Sequence, residues 1–270
     1  MYKLTQAVEK LNFPQASSSE DWAKAKVERA NSLPGSLGGY DCKRCLNRGY
    51  TLRLDGDGAE WSTPCSCLKI RAAIRAAERS GLDAVISRLT FKAFLTPEPW
   101  QQKLKAAAQA FVKGGSGSWF YVGGNPGSGK THICTAMCGA LLKAGHEVRY
   151  FVWPSDMRRL KAMVNEPEYD KTFGSYADAQ VLYIDDLFKS RTGNDLTASD
   201  INRTFELINR RDQQPGKLTI ISSEHSISSV IGIDEAIGSR IWANANNNVF
   251  DLGSDRRRNW RLYGKSGERQ

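Results

Sequence analysis

The pattern of apolar and polar residues changes twice along the chain. The first part carries one helical pattern, and a stretch poor in aliphatic residues follows it. From about residue 91, short apolar runs alternate with helical runs, which is typical of an α/β protein with a parallel sheet. The pattern predicts five segments: an N-terminal helical segment, a small module, a basic helical connector, an α/β domain and a tail, at residues 1–37, 38–67, 68–90, 91–263 and 264–270.

The N-terminal helix is predicted from a capping box at Ser17 to Glu20 and from Pro34, which ends the run. This segment is too short to hold a core of its own. Trp22 and Val27 on the helix therefore face either a partner protein or the rest of the chain.

The amino-acid composition and the net charge indicate where in the cell the protein acts and what kind of partner it binds. Hydrophobic residues make up 40% of the 270 residues, enough for one large core, which excludes a disordered chain. Lys and Arg number 38 against 29 Asp and Glu, and this net charge of +9 favours a polyanionic partner. Because no apolar run is long enough for a membrane span or a signal-peptide core, we expect a cytoplasmic protein with no membrane partner.

Four cysteines in the small module have the spacing of a zinc site. The pairs Cys42-x-x-Cys45 and Cys65-x-Cys67 flank a predicted strand and an Asp-Gly-Asp-Gly turn, which would bring the second pair back beside the first. The alternative is four free thiols in a loop, but a segment with so few aliphatic residues needs a cross-link or a metal to fold. Cys134 and Cys138 lie on an apolar helix face and are predicted to be core residues.

The strongest motif for chemistry is a P-loop. A predicted buried strand, Trp119 to Val122, runs into this loop, and a helix through about Lys143 follows it. Its glycines let backbone N–H groups surround the β-phosphate of a nucleotide such as ATP, Lys130 reaches the β- and γ-phosphates and Thr131 ligates Mg²⁺. The nucleotide-binding candidates are Gly124, Asn125, Pro126, Gly127, Ser128, Gly129, Lys130, Thr131 and His132.

Two further strands are predicted to end in the phosphate crevice. Asp185 and Asp186 follow the apolar run Val181 to Ile184, and we expect Asp185 to hold Mg²⁺ and Asp186 to orient the attacking water. The next apolar run, Leu218 to Ile221, ends in Ser222, Ser223 and Glu224. This polar tip is expected to meet the γ-phosphate, with Ser223 as the chosen residue. Arg240, after a helix-like segment, either serves the γ-phosphate of a neighbouring subunit or is simply solvated.

Taken together, these motifs resemble the DnaC/DnaI-type replicative helicase loaders, particularly zinc-bearing phage or Gram-positive versions. The resemblance spans residues 40 to about 263 and rests on the cysteine pairs together with SGL, TFKAF, GNPGSGKTH, VLYIDDLFK, TIISSEHS and DEAIGSRI. The P-loop and the acidic pair are common to AAA+ ATPases, whereas the cysteine module and the GSRI box are more discriminating.

The resemblance implies an initiator-clade AAA+ ATPase that binds the hexameric replicative helicase, places it on single-stranded DNA and uses ATP as a switch. It assigns Lys130 and Thr131 to Walker A, Asp185 and Asp186 to Walker B, and Arg240 to an arginine finger, which implies self-association. Two departures are expected to matter. Asp186 replaces the commoner Glu, so turnover should be slow. Too few residues follow the last predicted strand for a helical lid domain, so the fold is expected to lack one.

For DNA the candidates are basic residues on a helix after the strand Val148–Val152 and after the acidic pair: Arg158, Arg159, Lys161, Lys189 and Arg191. Each either contacts phosphates or belongs to a solvated face. The Arg-rich segment Asp255 to Tyr263 is a second candidate, for DNA or for the helicase. Two other functions stay open: a transposition helper ATPase of the IstB type, and an adaptor that binds nucleotide without hydrolysing it.

Overall fold

The computed structural model describes residues 19–79, 82–114, 118–190, 196–253 and 255–263. The chain forms two compact units, residues 1–71 and 72–270. Within the described ranges, none of the helices combines the length and the apolar character that crossing a membrane requires.

The first unit is a helix packed on a two-stranded hairpin. Helix α1 (Ser19–Ser32) is followed by strands β1 (Tyr50–Leu54) and β2 (Glu60–Pro64), which pair antiparallel. Asp55 forms the turn between the strands by accepting hydrogen bonds from the backbone of residues 57 and 59, so the predicted chain reversal is confirmed.

Lys26 and Asn31 join the N-terminal helix to the hairpin, and the Lys26 ammonium group pairs with Glu60. The Asn31 amide donates to the Leu52 carbonyl oxygen over 2.8 Å and accepts from the Leu52 N–H over 3.0 Å. Val27 is buried, whereas Trp22 is 59% exposed. The predicted cap residues Ser17 and Ser18 lie outside the described residues.

The second unit is an α/β domain. Its strands are β3 (Trp119–Gly123), β4 (Val148–Val152), β5 (Val181–Leu187), β6 (Leu218–Ser223) and β7 (Val249–Asp251). They form one parallel sheet in the order β4-β5-β6-β3-β7. The predicted fold class, a parallel sheet flanked by helices, is confirmed.

Helices connect and cover the strands. They are α2 (Cys67–Arg79), α3 (Asp83–Ile86), α4 (Pro99–Val112), α5 (Lys130–Lys143), α6 (Trp153–Ala162), α7 (Tyr169–Ala177), α8 (Ala198–Asp212), α9 (Ile227–Ile233), α10 (Glu235–Ala245) and α11 (Trp260–Tyr263). The division between the two units falls within α2. Among the described residues after β7, only a short 3₁₀ turn and α11 are helical.

The sheet is buried on both faces, as expected for parallel strands covered by helices. Along β3 the side chains alternate: Phe120 and Val122 pack with α4 and α5, whereas Trp119 and Tyr121 pack into the cluster formed with α6 to α10. Cys134 and Cys138 on α5 are fully buried in the first cluster, which confirms that they are core residues.

All five strands point the same way, so their carboxyl ends meet at one edge of the sheet. Strand β6 lies between β3 and β5. The loop after β3, the acidic end of β5 and the polar end of β6 therefore come together, in the crevice where ligands bind in open α/β sheets.

Candidate nucleotide site and cysteine cluster

The loop after β3 has the backbone of a phosphate-binding loop. Gly124, Gly127 and Gly129 have φ angles of 130°, 78° and 88°, a region that side chains disfavour. A β-carbon at Gly129 would lie 3.0 Å from the ring of Phe94, and one at Gly127 would overlap the Asn259 side chain. Glycine is therefore required at these positions both by conformation and by close packing.

Lys130 begins α5 with its ammonium group inside the loop. Its Nζ donates to the carbonyl oxygens of Gly124 and Asn125, over 2.7 and 2.8 Å. The Ser128 hydroxyl donates to the same Asn125 carbonyl, which closes the turn. Burial lowers the pKa of Lys130. This cation is thus held, largely desolvated, at the centre of the loop, where phosphate binding needs it.

The next two residues of α5 link the loop to its surroundings. The Thr131 hydroxyl donates to Asp185 Oδ1 over 3.3 Å. The His132 ring lies 3.0 Å from the Thr90 carbonyl oxygen, through Nε2, and packs edge-on against Phe94 at 5.2 Å. The TFKAF segment, one of the motifs on which the resemblance rests, therefore packs against the first turn of the loop helix.

Asp185 is buried and surrounded by hydroxyl groups. Tyr150 donates to its Oδ2 and Tyr183 to its Oδ1, each over 2.7 Å, and Ser222 donates to Oδ1 as well. Burial and the nearby Asp185 charge raise the pKa of Tyr150, which keeps that hydroxyl a donor. The carboxylate is fixed in place next to Thr131, as a Mg²⁺ ligand requires.

Asp186 lies on a bulge. The pairing of β5 with β6 shifts register between Ile184 and Leu187, and Asp186 has a φ of 58°. Bulges beside active sites redirect a side chain that regular alternation would point elsewhere. Here the bulge directs the Asp186 carboxylate to Lys189 Nζ at 3.0 Å, and the same ammonium group lies 2.9 Å from Glu224.

The loop and the ends of β5 and β6 line a cavity of about 310 Å³. The sequence placed Lys130, Thr131 and Asp186 here, and the cavity adds Glu224, Lys189 and Arg261 to them. Lys189, a candidate for DNA contact, lies here between two carboxylates of the nucleotide cavity, and its contact with DNA stays a prediction. The three cations and two carboxylates of this cavity suit a polyphosphate accompanied by Mg²⁺.

Two predicted site residues have their side chains elsewhere. The Ser223 hydroxyl is buried and donates to the Leu187 carbonyl oxygen over 2.7 Å; the neighbouring Ser222 contacts Asp185 instead. Arg240 lies on α10, pairs with Asp212 at 3.3 Å and covers the Phe205 ring. The structure thus corrects the choice of Ser223 as the polar tip facing the loop, since β6 directs Ser222 there.

The four cysteines of the first unit form one buried cluster. Their sulfur atoms all lie within 4.8 Å of one another, with Cys42 3.8 Å from Cys65 and Cys45 3.5 Å from Cys67. Four Zn–S bonds of about 2.3 Å in a tetrahedron put the sulfur atoms about 3.8 Å apart, so the cluster fits Zn²⁺.

The surroundings of the cluster shift the pKa values of two of its thiols in opposite directions, and burial raises the pKa of Cys67 to about 12. Burial opposes ionisation of Cys45, but the Gly49 N–H, 3.3 Å from its sulfur, and the neighbouring thiols outweigh it and lower the pKa of Cys45 to about 6. Arg71, buried, donates to the Asn47 side chain, whose oxygen also accepts from the Cys42 N–H. Arg71 therefore holds in place the Asn47 side chain that bonds the backbone of Cys42.

The basic helix α6 borders a second, larger cavity, of about 630 Å³. Arg158 and Arg159 are exposed, and Arg159 lines this cleft together with Arg149 and Lys171, which the sequence analysis did not select. Lys161 instead pairs with Asp200 at 2.7 Å. Tyr150, whose hydroxyl contacts Asp185, also lines the cleft. Arg191 lies outside the described residues.

Comparisons with known proteins agree with this architecture. The family model of the IstB-like ATP binding protein matches residues 101–241. In Bacillus subtilis, the phage-like element PBSX protein XkdC is 31% identical over 222 residues, which cover 75% of this chain and 79% of that protein. The uncharacterized protein YqaM of the same organism is 30% identical over 212 residues, or 73% of this chain and 67% of that one.

Among solved structures, the crystal structure of the DnaC helicase loader aligns with a TM-score of 0.52 at 20% identity and covers 62% of this chain and 96% of that chain. A DNA replication initiation factor aligns with a TM-score of 0.53 at 15% identity, over 67% of this chain and 54% of that chain. At such identities the likeness concerns the fold alone, and it agrees with the predicted parallel sheet flanked by helices.

Proposed function

Because the chain belongs to the family of IstB-like ATP-binding proteins, we propose that it is an ATP-hydrolysing helicase loader. It binds a hexameric replicative DNA helicase and places it on single-stranded DNA when replication begins, with ATP as the switch. The observation that carries this proposal is the convergence of Lys130, Thr131, Asp185 and Asp186 at one edge of a sheet whose fold resembles that of the DnaC helicase loader.

The chemistry of the site is phosphoryl transfer to water. Thr131 and Asp185 would hold Mg²⁺, which neutralises charge on the phosphates. Lys130 binds the β- and γ-phosphates from inside the loop, and Asp186 orients the attacking water. Because Asp186 is shorter than Glu and is paired with Lys189, we expect hydrolysis to be slow until DNA or a partner stimulates it.

Single-stranded DNA is proposed to bind along the cleft beside α6, with Arg158 at its border. Arg149, Arg159 and Lys171 supply positive charge, and the rings of Tyr150 and Tyr176 line the same cleft. Cations that follow a backbone, combined with aromatic surfaces for stacking, bind single strands without sequence preference.

Replacing Arg159 or Lys171 with alanine is expected to weaken binding of a fluorescent oligothymidine. Each change should also reduce the slope of log affinity against log salt by about 0.7, because one phosphate contact is lost. Lys103→Ala is the matched control, since it removes an exposed cation from α4, on the other face of the sheet. Unchanged slopes for both cleft variants would contradict the cleft as the DNA site.

Self-association through the nucleotide site is also part of the proposal, with Arg240 serving the γ-phosphate of a neighbouring subunit. Its ion pair with Asp212 is half-exposed, and a half-exposed pair costs little to break. Arg240 can therefore exchange Asp212 for a phosphate when subunits meet.

The deciding experiment is co-elution on a mass-calibrated sizing column, with ATP and without. The first helicase to mix with this protein is the replicative helicase of Bacillus subtilis, the organism of both relatives, followed by helicases of other hosts. A stable complex whose amount depends on ATP is the expected result. If none of the helicases forms a complex, the loader function is wrong.

The family match favours one second candidate, an IstB-type transposition helper ATPase. Absence of any helicase complex, together with DNA-stimulated phosphate release, would favour that function. An adaptor that binds nucleotide without hydrolysis would release no phosphate in a single-turnover assay, even with DNA and helicase present.

A further inference from the structure

The segment after β7 lies against the phosphate-binding loop. Strand β7 continues the sheet beside β3, and the Leu252 N–H donates to the Gly123 carbonyl oxygen over 2.8 Å. Further along, the Trp260 N–H donates to the Gly127 carbonyl oxygen over 2.9 Å. The chain thus contacts the end of β3 before the Arg-rich residues and the phosphate-binding loop after them.

The contact between this segment and the loop depends on two particular residues, Gly127 and Asn259. The Asn259 side chain occupies the space where a β-carbon of residue 127 would be, so Gly127 and Asn259 fit each other closely. Arg258 donates to the Leu252 carbonyl oxygen and its guanidinium group covers the Trp100 ring at 5.4 Å. These contacts fix the position of the short helix α11.

This placement brings Arg261 to the nucleotide cavity, which it lines together with Lys130 and Thr131. Of the other cations there, Lys189 is bound by two carboxylates and Lys130 donates to loop carbonyls. Within the ranges that the structure describes, the Arg261 guanidinium has no carboxylate partner within ion-pair distance. Unlike Lys189, it is therefore available to a new anion.

We infer that Arg261 binds the β- or γ-phosphate of the nucleotide in this cavity. The inference about Arg261 shares one premise with the proposed function, namely that the cavity holds a nucleotide. The Arg-rich segment then serves the nucleotide site, and DNA or helicase binding is not needed to explain Arg261. A planar guanidinium suits two phosphate oxygens at once, which a lysine ammonium does not.

The test compares ATP, ADP and AMP affinities of the full chain by calorimetry. For Arg261→Ala, ATP binding should weaken about tenfold, the typical effect of losing one charge-assisted hydrogen bond, whereas AMP binding should change little. Arg261→Lys should restore part of the ATP affinity because the charge remains.

Arg257→Ala is the matched control, since Arg257 lies in the same segment, pairs only with Asp255 among the described residues and is otherwise exposed. Thermal unfolding of each variant reports on the fold. Equal ATP affinity of Arg261→Ala and the wild type would overturn the inference. So would an equal loss for ATP, ADP and AMP, or a lower unfolding temperature with no rescue by lysine, since these indicate a structural role.

Different results would contradict the proposed ATPase function and the proposed role of Arg261. If the wild-type chain binds no nucleotide at all, the ATPase function fails. If the wild type binds ATP and Lys130→Ala does not, but Arg261→Ala binds it normally, only the role of Arg261 is wrong.

Discussion

Lys130→Ala is expected to weaken ATP binding at least about a hundredfold, because the variant loses charge-assisted bonds to two phosphates, together worth about 3 kcal/mol. The effect is large because Lys130 is buried inside the loop, at 6% exposure, where water cannot replace its ammonium group. Calorimetric titration with ATP and Mg²⁺ measures the loss directly.

Lys143→Ala is the control for this experiment. Lys143 is exposed at the other end of the same helix, so its replacement removes the same charge without touching the loop. ATP affinity should be unchanged in that variant. Equal ATP affinity of Lys130→Ala and the wild type would refute the assignment of the loop as a phosphate site.

Cys42→Ser is expected to release zinc and to unfold residues 38–67. The cluster has few aliphatic neighbours: among the described residues, Tyr40 is the partly buried hydrophobic residue packed against it. Structural zinc contributes about 10–16 kcal/mol of apparent binding free energy, and the fold of a small module depends on it. Elemental analysis should find one zinc per wild-type chain and much less in the variant, with a loss of protease resistance confined to this module.

Two controls separate the cluster from the other cysteines. Ser66 is exposed between two of the ligands, and Cys134 is buried in the core of the second unit. Ser66→Ala and Cys134→Ala should both keep the metal. Full metal retention by Cys42→Ser would remove the zinc assignment. ATP binding should persist in Cys42→Ser, since the nucleotide cavity is formed entirely by the second unit.

The parts of the site that lie close together in the sequence were predictable. The glycines and Lys130 belong to one turn, and each cysteine pair belongs to one loop, so spacing alone indicates their chemistry. The parallel sheet followed from apolar runs alternating with helical ones, and it placed Asp185 at the same edge as the loop.

The remaining contacts depend on strand order and local irregularity, which the pattern does not show. Ser222, and not Ser223, meets Asp185 because β6 pairs directly with β5 and its side chains alternate. Lys189 enters the cavity because the bulge at Asp186 redirects the following turn. Arg261 arrives there only because the chain returns to the loop after β7, a contact between residues more than a hundred positions apart.

Tyr150 is shared by two parts of the molecule. Its ring forms part of the wall of the cleft beside α6, while its hydroxyl holds Asp185 on the opposite side. The ring also stacks on Tyr183, the second tyrosine bound to that carboxylate, at 5.2 Å. A bulky group in the cleft that displaces the whole Tyr150 side chain also moves its hydroxyl away from Asp185. What occupies the cleft and how firmly the carboxylate is held are therefore linked through one side chain, with no movement of the sheet required.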